Sequence, residues 1–248
     1  IVFTKLIIMT TSERKQRERQ EREHLFLKAA GKMIERCGFL NLHMAKLAKQ
    51  CQYATGTLYQ HFSSREDLLA AIVAEQVAWR LDVFECIASM PLNSRDKMLA
   101  LTIADRLFQQ KNPQHAKLEQ YVFTEAVWEN VSHNQRQKIF SCCKPIGDVV
   151  SHIAQEALNR GELPDHGYSA MDISLAPWAL CQGHYVLANA HGLLESLSVA
   201  PDSMQLYRNI TMLLNGMQWQ PLLSLEDKVI LRKVTDLKAE LEKNALFR

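Results

Sequence analysis

Turn-forming residues are scarce in this chain, with nine glycines and seven prolines among 248 residues. So few punctuators, with Ala, Leu, Gln, Glu and Lys abundant, favour an all-α chain. Long apolar runs are also missing. The opening IVFTKLII at 1–8 is too short to span a bilayer and lacks the cleavage region of a signal peptide. Those eight residues are assigned no function, and Met9 stands as a natural start. The six cysteines, at 37, 51, 86, 142, 143 and 181, follow no metal-binding or disulfide spacing. Most fall on apolar helical faces, where a thiol acts as a small hydrophobe. Their pattern fits a reduced, cytoplasmic protein; the adjacent Cys142 and Cys143 leave a redox-sensor reading open beside that one. No nucleophile–base arrangement, phosphate loop or His-x-x-x-His pair is found, so the expectation is a protein that is not an enzyme and needs no metal or cofactor. His184 and His191 would lie about 10 Å apart along an ideal helix, too far to share a metal ion.

What is present is ordinary globular composition, 47% apolar and 23% charged, on a chain long enough for one core or two. The net charge of +2 hides an asymmetry. Residues 10–65 hold eleven Lys or Arg against five acids. With Lys5 also on the basic side, residues 66–248 are left net acidic. A basic N-terminal quarter on an acidic remainder suits a phosphate-binding module joined to a partner or effector module.

The chain is organised around residues 38–68. Met44, Leu47, Ala48 and Cys51 recur at i, i+3, i+4, i+7 and give one face of a short helix, about 43–51. The pattern breaks at Gln52-Tyr53-Ala54. A second short helix, about 54–61, puts Leu58 and Phe62 inward, while Thr55, Gly56, Thr57, Tyr59, Gln60 and His61 form a polar side. Hydroxyls, an amide, an imidazole and bare backbone make a poor core face and a good surface for reading DNA. Short helix, turn, short polar helix is the helix-turn-helix arrangement, whose second helix enters the major groove.

Ahead of it, a helix over about 22–37 buries Phe26, Ala30, Met33, Ile34 and Cys37, with Gly38 as its C-terminal cap. Before that, residues 1–21 read as a disordered or extended arm in which Arg14, Lys15, Arg17 and Arg19 reach DNA or fray into solvent. Behind it, Ser63 or Ser64 caps a fourth helix, with Glu66 and Asp67 in its first turn. That helix runs to about Ser89 and joins the DNA-reading part to the rest as a mechanical link. Further helices are expected over about 93–110, 114–131, 133–160, 168–192, 202–219 and 224–246, with Pro145 kinking or splitting the 133–160 segment. In the last, Ile230, Val234, Leu237 and Leu241 make a 4-3-4 stripe that packs on the body or on a partner helix. The expected domains are 1–21 arm, 22–68 helix-turn-helix and 69–248 helical effector and dimerisation domain.

GTLYQHFSSREDLL at 56–69, with Gly38-Phe39 and the M-x-x-L-A helix at 44–48, resembles the DNA-binding domain of the TetR family of transcriptional regulators. The match is contiguous in spacing over about thirty residues. The resemblance implies roles by position. Thr55, Gly56 and Gln60 approach base edges; Thr57, Tyr59, His61, Arg65 and His43 contact phosphates. Thr55 stands where a Lys is common, Gln52 where a turn Gly is common and Ala54 where a capping Ser is common; the fold should tolerate all three. The resemblance also implies a bacterial homodimer built on 168–192 and 202–219, where Ala179, Gly183 and Ala188 permit close helix approach. It implies double-stranded DNA as partner and repression relieved by an unknown small-molecule effector, of amphipathic or aromatic character. Phe108, Phe123, Trp128, Trp178, His184, Tyr185 and Met212 are the candidates to line its cavity, and each is equally a core residue by spacing. A DNA-associated protein of the same fold controlled by a protein partner is the alternative.

Overall fold

The computed structural model describes residues 11–199 and 204–247, and every regular element among them is helical. In chain order these are α1 (Thr11–Cys37), a 3-10 turn at Phe39–Asn41, α2 (Met44–Gln50), α3 (Thr55–Tyr59), α4 (Arg65–Ser89), α5 (Ser94–Lys111) and α6 (Pro113–Val122). There follow α7 (Glu125–Trp128), α8 (His133–Asn159), α9 (Ala170–Asn189), α10 (Leu193–Ser196), α11 (Gln205–Gly216), α12 (Asp227–Leu241) and a 3-10 turn at Ala245–Phe247.

The arm differs from expectation: residues 11–21 are helical and continue α1, while residues 1–10 lie outside the described residues. The physical reason is the spacing of the interleaved acids. Arg14 Nε meets Glu18 at 3.1 Å and Arg17 Nε meets Glu21 at 2.8 Å, both at i, i+4. Such exposed pairs are each worth about 0.3–0.5 kcal/mol to a helix. The expected 114–131 helix is divided, because Thr124 adopts extended backbone between α6 and α7. Pro145 removes one amide donor but does not split α8.

The chain forms two compact units. The first runs through Val73 and takes in Lys117–Arg136; the second comprises Ala74–Ala116 and Gln137–Arg248. This division differs from the expected boundary at residue 68 in grouping Lys117–Arg136 with the first unit. In the first unit, Phe26, Ala30, Met33 and Ile34 of α1 bury against Leu42, Leu47, Ala48, Leu58, Phe62, Leu68 and Leu69. Cys37, expected on that face, is exposed, and its thiol donates to the Met33 carbonyl at 3.0 Å. The later segment is tied on by a ring contact and a carboxylate. Tyr121 packs on Phe39 with centroids 4.9 Å apart. Asp67, 2% exposed, accepts from the Ser132 amide at 2.7 Å and the Ser63 amide at 3.1 Å, and is bonded to the Ser63 hydroxyl. Ser64 Oγ takes the Asp67 amide at 2.9 Å, capping α4 as the sequence suggests.

In the second unit α12 packs on α5 of its own chain, burying the Ile230, Val234, Leu237 and Leu241 stripe. Lys233 reaches Asp96 at 3.0 Å alongside. Arg95 is 3% exposed, and among the described residues its hydrogen bonds go to uncharged acceptors. Its guanidinium donates to the Trp219 carbonyl at 2.7 Å and Asn215 Oδ1 at 2.8 Å, while Trp219 Nε1 donates to Ser94 Oγ at 2.7 Å. These bonds satisfy a buried cation without a second charge.

Candidate nucleic-acid interface

Two short helices and the turn between them define the site. α2 contributes Met44, Leu47 and Ala48 to the core and α3 contributes Leu58. The turn closes through Gln52 N–H to the Lys49 carbonyl at 3.1 Å and Tyr53 N–H to the Ala48 carbonyl at 2.9 Å. Gln52 sits at φ 62, in the left-handed region. The common turn glycine would adopt that conformation without the penalty a Cβ brings. Ala54 then precedes α3 in extended backbone with no side-chain cap.

Leu58 and Phe62 are fully buried, whereas Tyr59 is 48% exposed. The helical phase that separates these two aromatics in the sequence is therefore the phase of the structure. Gly56 and Gln60 are exposed, Thr55 and Thr57 are partly exposed, and His43 is exposed at the start of α2. A Cβ added at Gly56 meets nothing within 4 Å, so the protein's own packing does not demand glycine there. The Gln60 carbonyl, near the open end of α3, accepts from Arg19 Nη2 at 3.3 Å.

Two of the residues expected at phosphates have partners within the protein. The His61 side chain is 4% exposed and lies edge-on to Phe26, with centroids 5.4 Å apart. Burial, and secondly the Arg19 charge, hold its pKa below the ordinary histidine value, and Glu23 at 3.8 Å opposes that only in part. The imidazole is thus held toward its neutral form while it packs on Phe26. Arg65 donates to the Phe39 carbonyl at 2.7 Å and the Leu42 carbonyl at 3.2 Å, fixing the 3-10 turn after Gly38. Two residues have roles in the structure beyond those the sequence suggests. Asp67 passed only as a first-turn acid, though it bonds across 65 residues to Ser132. Gln52 carries the one left-handed backbone conformation of the turn; the missing glycine was its only signal.

The residues expected to line an effector cavity divide into three groups. Phe123 and Trp128, with centroids 5.5 Å apart, belong to the first unit. Trp178 and Met212 are 55% and 56% exposed on α9 and α11. Phe108, His184 and Tyr185 remain inside the second unit, where Phe108 stacks on Trp79 at 5.0 Å and Tyr185 is 1% exposed. Helical spacing alone did not show which of the seven belong to which unit, nor which of them face outward.

By class this is a helix-turn-helix transcription regulator. Residues 26–72, which hold the helix-turn-helix, match the family model described as bacterial regulatory proteins, tetR family. The chain is similar to the fatty acid metabolism regulator protein of Bacillus subtilis (strain 168), at 24% identity over 148 residues, 60% of this chain and 72% of that protein. A TetR/AcrR-family transcriptional regulator from Thermobifida fusca shares the fold at TM-score 0.58 and 19% identity, covering 79% of this chain and 98% of that one. The regulator FadR from Bacillus subtilis, solved with stearoyl-CoA, does so at TM-score 0.52 and 22% identity, covering 71% and 92%. Among the described residues no helix is long and apolar enough to cross a membrane.

Proposed function

We propose that the chain is a repressor that binds a pseudo-palindromic operator as a homodimer and leaves it when a small-molecule effector binds the second unit. The observation that carries this reading is the outward polar face of α3. On that face Gly56 and Gln60 are exposed and Thr55 partly so, above a buried Leu58 and Phe62. Thr55, Gly56 and Gln60 address base edges, Gln60 through a paired hydrogen bond to adenine. Thr57, Tyr59 and His43 address phosphates, which set register and affinity. His61 and Arg65 hold the interior and the turn on which that face rests.

The dimer reading is supported by α9. Met171, Leu175, Trp178 and Val186 follow helical spacing along it and are all about half exposed. Ala179 and Gly183 are exposed among them, and a Cβ at Gly183 would meet nothing within 4 Å. A contiguous apolar stripe of this kind marks a protein interface, and small residues let a second α9 approach closely. With α11 packed beside it, this is a self-complementary two-fold surface. Effector control rests on α4, whose residues begin in the first unit and end in the second, and on population shift between operator-competent and incompetent dimers. The relatives named for fatty acid metabolism make amphipathic compounds the first class to screen.

Selection of binding sites from a random DNA pool, at physiological salt, tests the proposal. A pseudo-palindrome with half-sites about one helical turn apart is the expected product. Recovery of no common sequence, with binding that vanishes as salt rises, would reduce the activity to non-specific phosphate contact.

A further inference from the structure

Among the described residues, the second unit contains a cation, Arg106, that forms no ion pair with a carboxylate. On α5, Asp105 and Arg106 are adjacent. Asp105 is paired, at 3.2 Å from Arg80 Nε, and both side chains are 11% exposed. Arg106 is partly buried, and among the described residues no carboxylate forms an ion pair with it. Its electrostatic neighbours are His184 and Tyr185 of α9 and Tyr207 of α11. Burial, and then Arg106 itself, hold His184 below its ordinary pKa, so the imidazole adds no second charge. Tyr185 is 1% exposed, and its hydroxyl has no hydrogen-bond partner among the described residues. Gln76, one turn before Arg80 on α4, is 8% exposed, and both atoms of its amide are likewise unpartnered. Buried polar groups are ordinarily satisfied, and each exception calls for an explanation. Here one cation and an unpartnered buried hydroxyl are electrostatic neighbours, in a unit where Trp79 stacks on Phe108 and Arg80 lies 5.9 Å above the Phe108 ring.

We propose that this cluster is the recognition point for an organic anion. A carboxylate or phosphate group is held by Arg106 with the Tyr185 and Tyr207 hydroxyls donating to it, and the rest of the ligand is apolar. The inference rests on the effector-binding reading above and specifies the chemical class of the effector. An anionic oxygen is the group that matches the inventory, because a guanidinium and a phenol both donate and charge-assisted bonds of this kind are the strong ones. A neutral ligand would leave the Arg106 charge uncompensated. Arg rather than Lys at this position suits a planar, two-oxygen acceptor.

The test titrates the full chain with three compounds of one tail length, decanoate, decyl phosphate and decan-1-ol, followed by intrinsic tryptophan fluorescence and calorimetry. The expected result is that at least one anion binds tenfold or more tightly than the alcohol. Arg106→Gln should reduce that preference to less than threefold, while Arg106→Lys keeps part of it. Tyr185→Phe should weaken anion binding by about ten- to a hundredfold, the effect of losing one hydrogen bond to a charged group. Which anion wins separates a carboxylate ligand from a phosphate one. The proposal is overturned if the alcohol binds as well as the anions, if no compound binds, or if Arg106→Gln keeps the preference. Melting temperatures of the variants distinguish a lost site from a lost fold, and Arg106→Lys keeps the test decisive if Arg106→Gln does not fold. Release of operator by some other class of compound, with these anions inert, would remove the anion site and leave the effector-released repressor standing. A failed operator selection would remove that reading and leave the titration interpretable.

Discussion

The outward faces of α3 and α9 are both exposed, and they differ in chemistry. α3 shows Gly56, Tyr59 and the adjoining Gln60 to solvent. α9 shows Met171, Leu175, Trp178 and Val186. Both helices bury their opposite sides, Leu58 on one and Ile173, Cys181 and Tyr185 on the other. Exposure alone therefore assigns no role; exposure together with residue type does. Polar groups around a bare glycine suit hydrated base edges, whereas a half-exposed apolar stripe with small residues suits a second protein surface.

The largest effect that would break this contrast is on the α9 side. Trp178→Glu puts a charge at the middle of the stripe, and the dimer is expected to dissociate at least a hundredfold more readily, about 3 kcal/mol or more. Sedimentation velocity reads this directly; an unchanged oligomer would move the interface elsewhere. Next comes the scaffold under α3. Asp67→Ala leaves the Ser63 and Ser132 amides without their acceptor and should lower stability to urea by about 3 kcal/mol. Loss of less than about 1 kcal/mol would mean that Lys117–Arg136 is held to the first unit by other contacts. On the reading face itself, Gln60→Ala should cost about 1–3 kcal/mol of operator affinity and relax selection at one base pair per half-site, with no change in melting temperature. A uniform loss across all sequences would instead make Gln60 a phosphate contact.

Smaller effects sharpen the comparison within the turn. Gln52→Gly relieves a side chain from φ 62 and should raise stability by about 0.5–1 kcal/mol after the entropic cost of glycine. Calorimetry of the two proteins settles its sign. The last prediction concerns pH. His61 and His184 both have pKa values pushed down by burial first and by a nearby arginine second. The folded state therefore favours the neutral imidazoles, and the unfolded chain binds more protons below about pH 6.5, the ordinary histidine value. Stability contributed by the neutral state is present above that value and is lost as pH falls through the depressed folded values. Urea unfolding at pH 7.5 and 5.5 should show the loss, and His61→Gln should flatten the part that belongs to the first unit. A variant with the parent's full pH slope would exclude His61 as a contributor.

The helix-turn-helix was legible because its signals are local. Met44, Leu47 and Ala48 and then Leu58 and Phe62 recur with helical spacing, and all five are buried. The 4-3-4 stripe of α12 was legible for the same reason, although its partner, α5, was not. Contacts that the sequence did not show were those made with a distant neighbour. His61 shares its stretch with exposed Tyr59 and Gln60, yet Phe26, 35 positions away, draws it inside. Arg65 looked like a basic residue at a helix start, and the carbonyls of Phe39 and Leu42 claim it.

The sequence by itself determined the all-helical class, the helix-turn-helix and its family, and the separation of inward Phe62 from outward Tyr59. It could do so because helical period and turn chemistry depend on residues a few positions apart. Only the tertiary structure decided that Lys117–Arg136 joins the first unit, that Trp178 and Met212 face outward, and that among the described residues Asp105 has an ion-pair partner while Arg106 has none. Those outcomes depend on which helices meet and on which buried polar group finds a partner. That pairing is a competition among side chains far apart in the chain, and no local spacing records it.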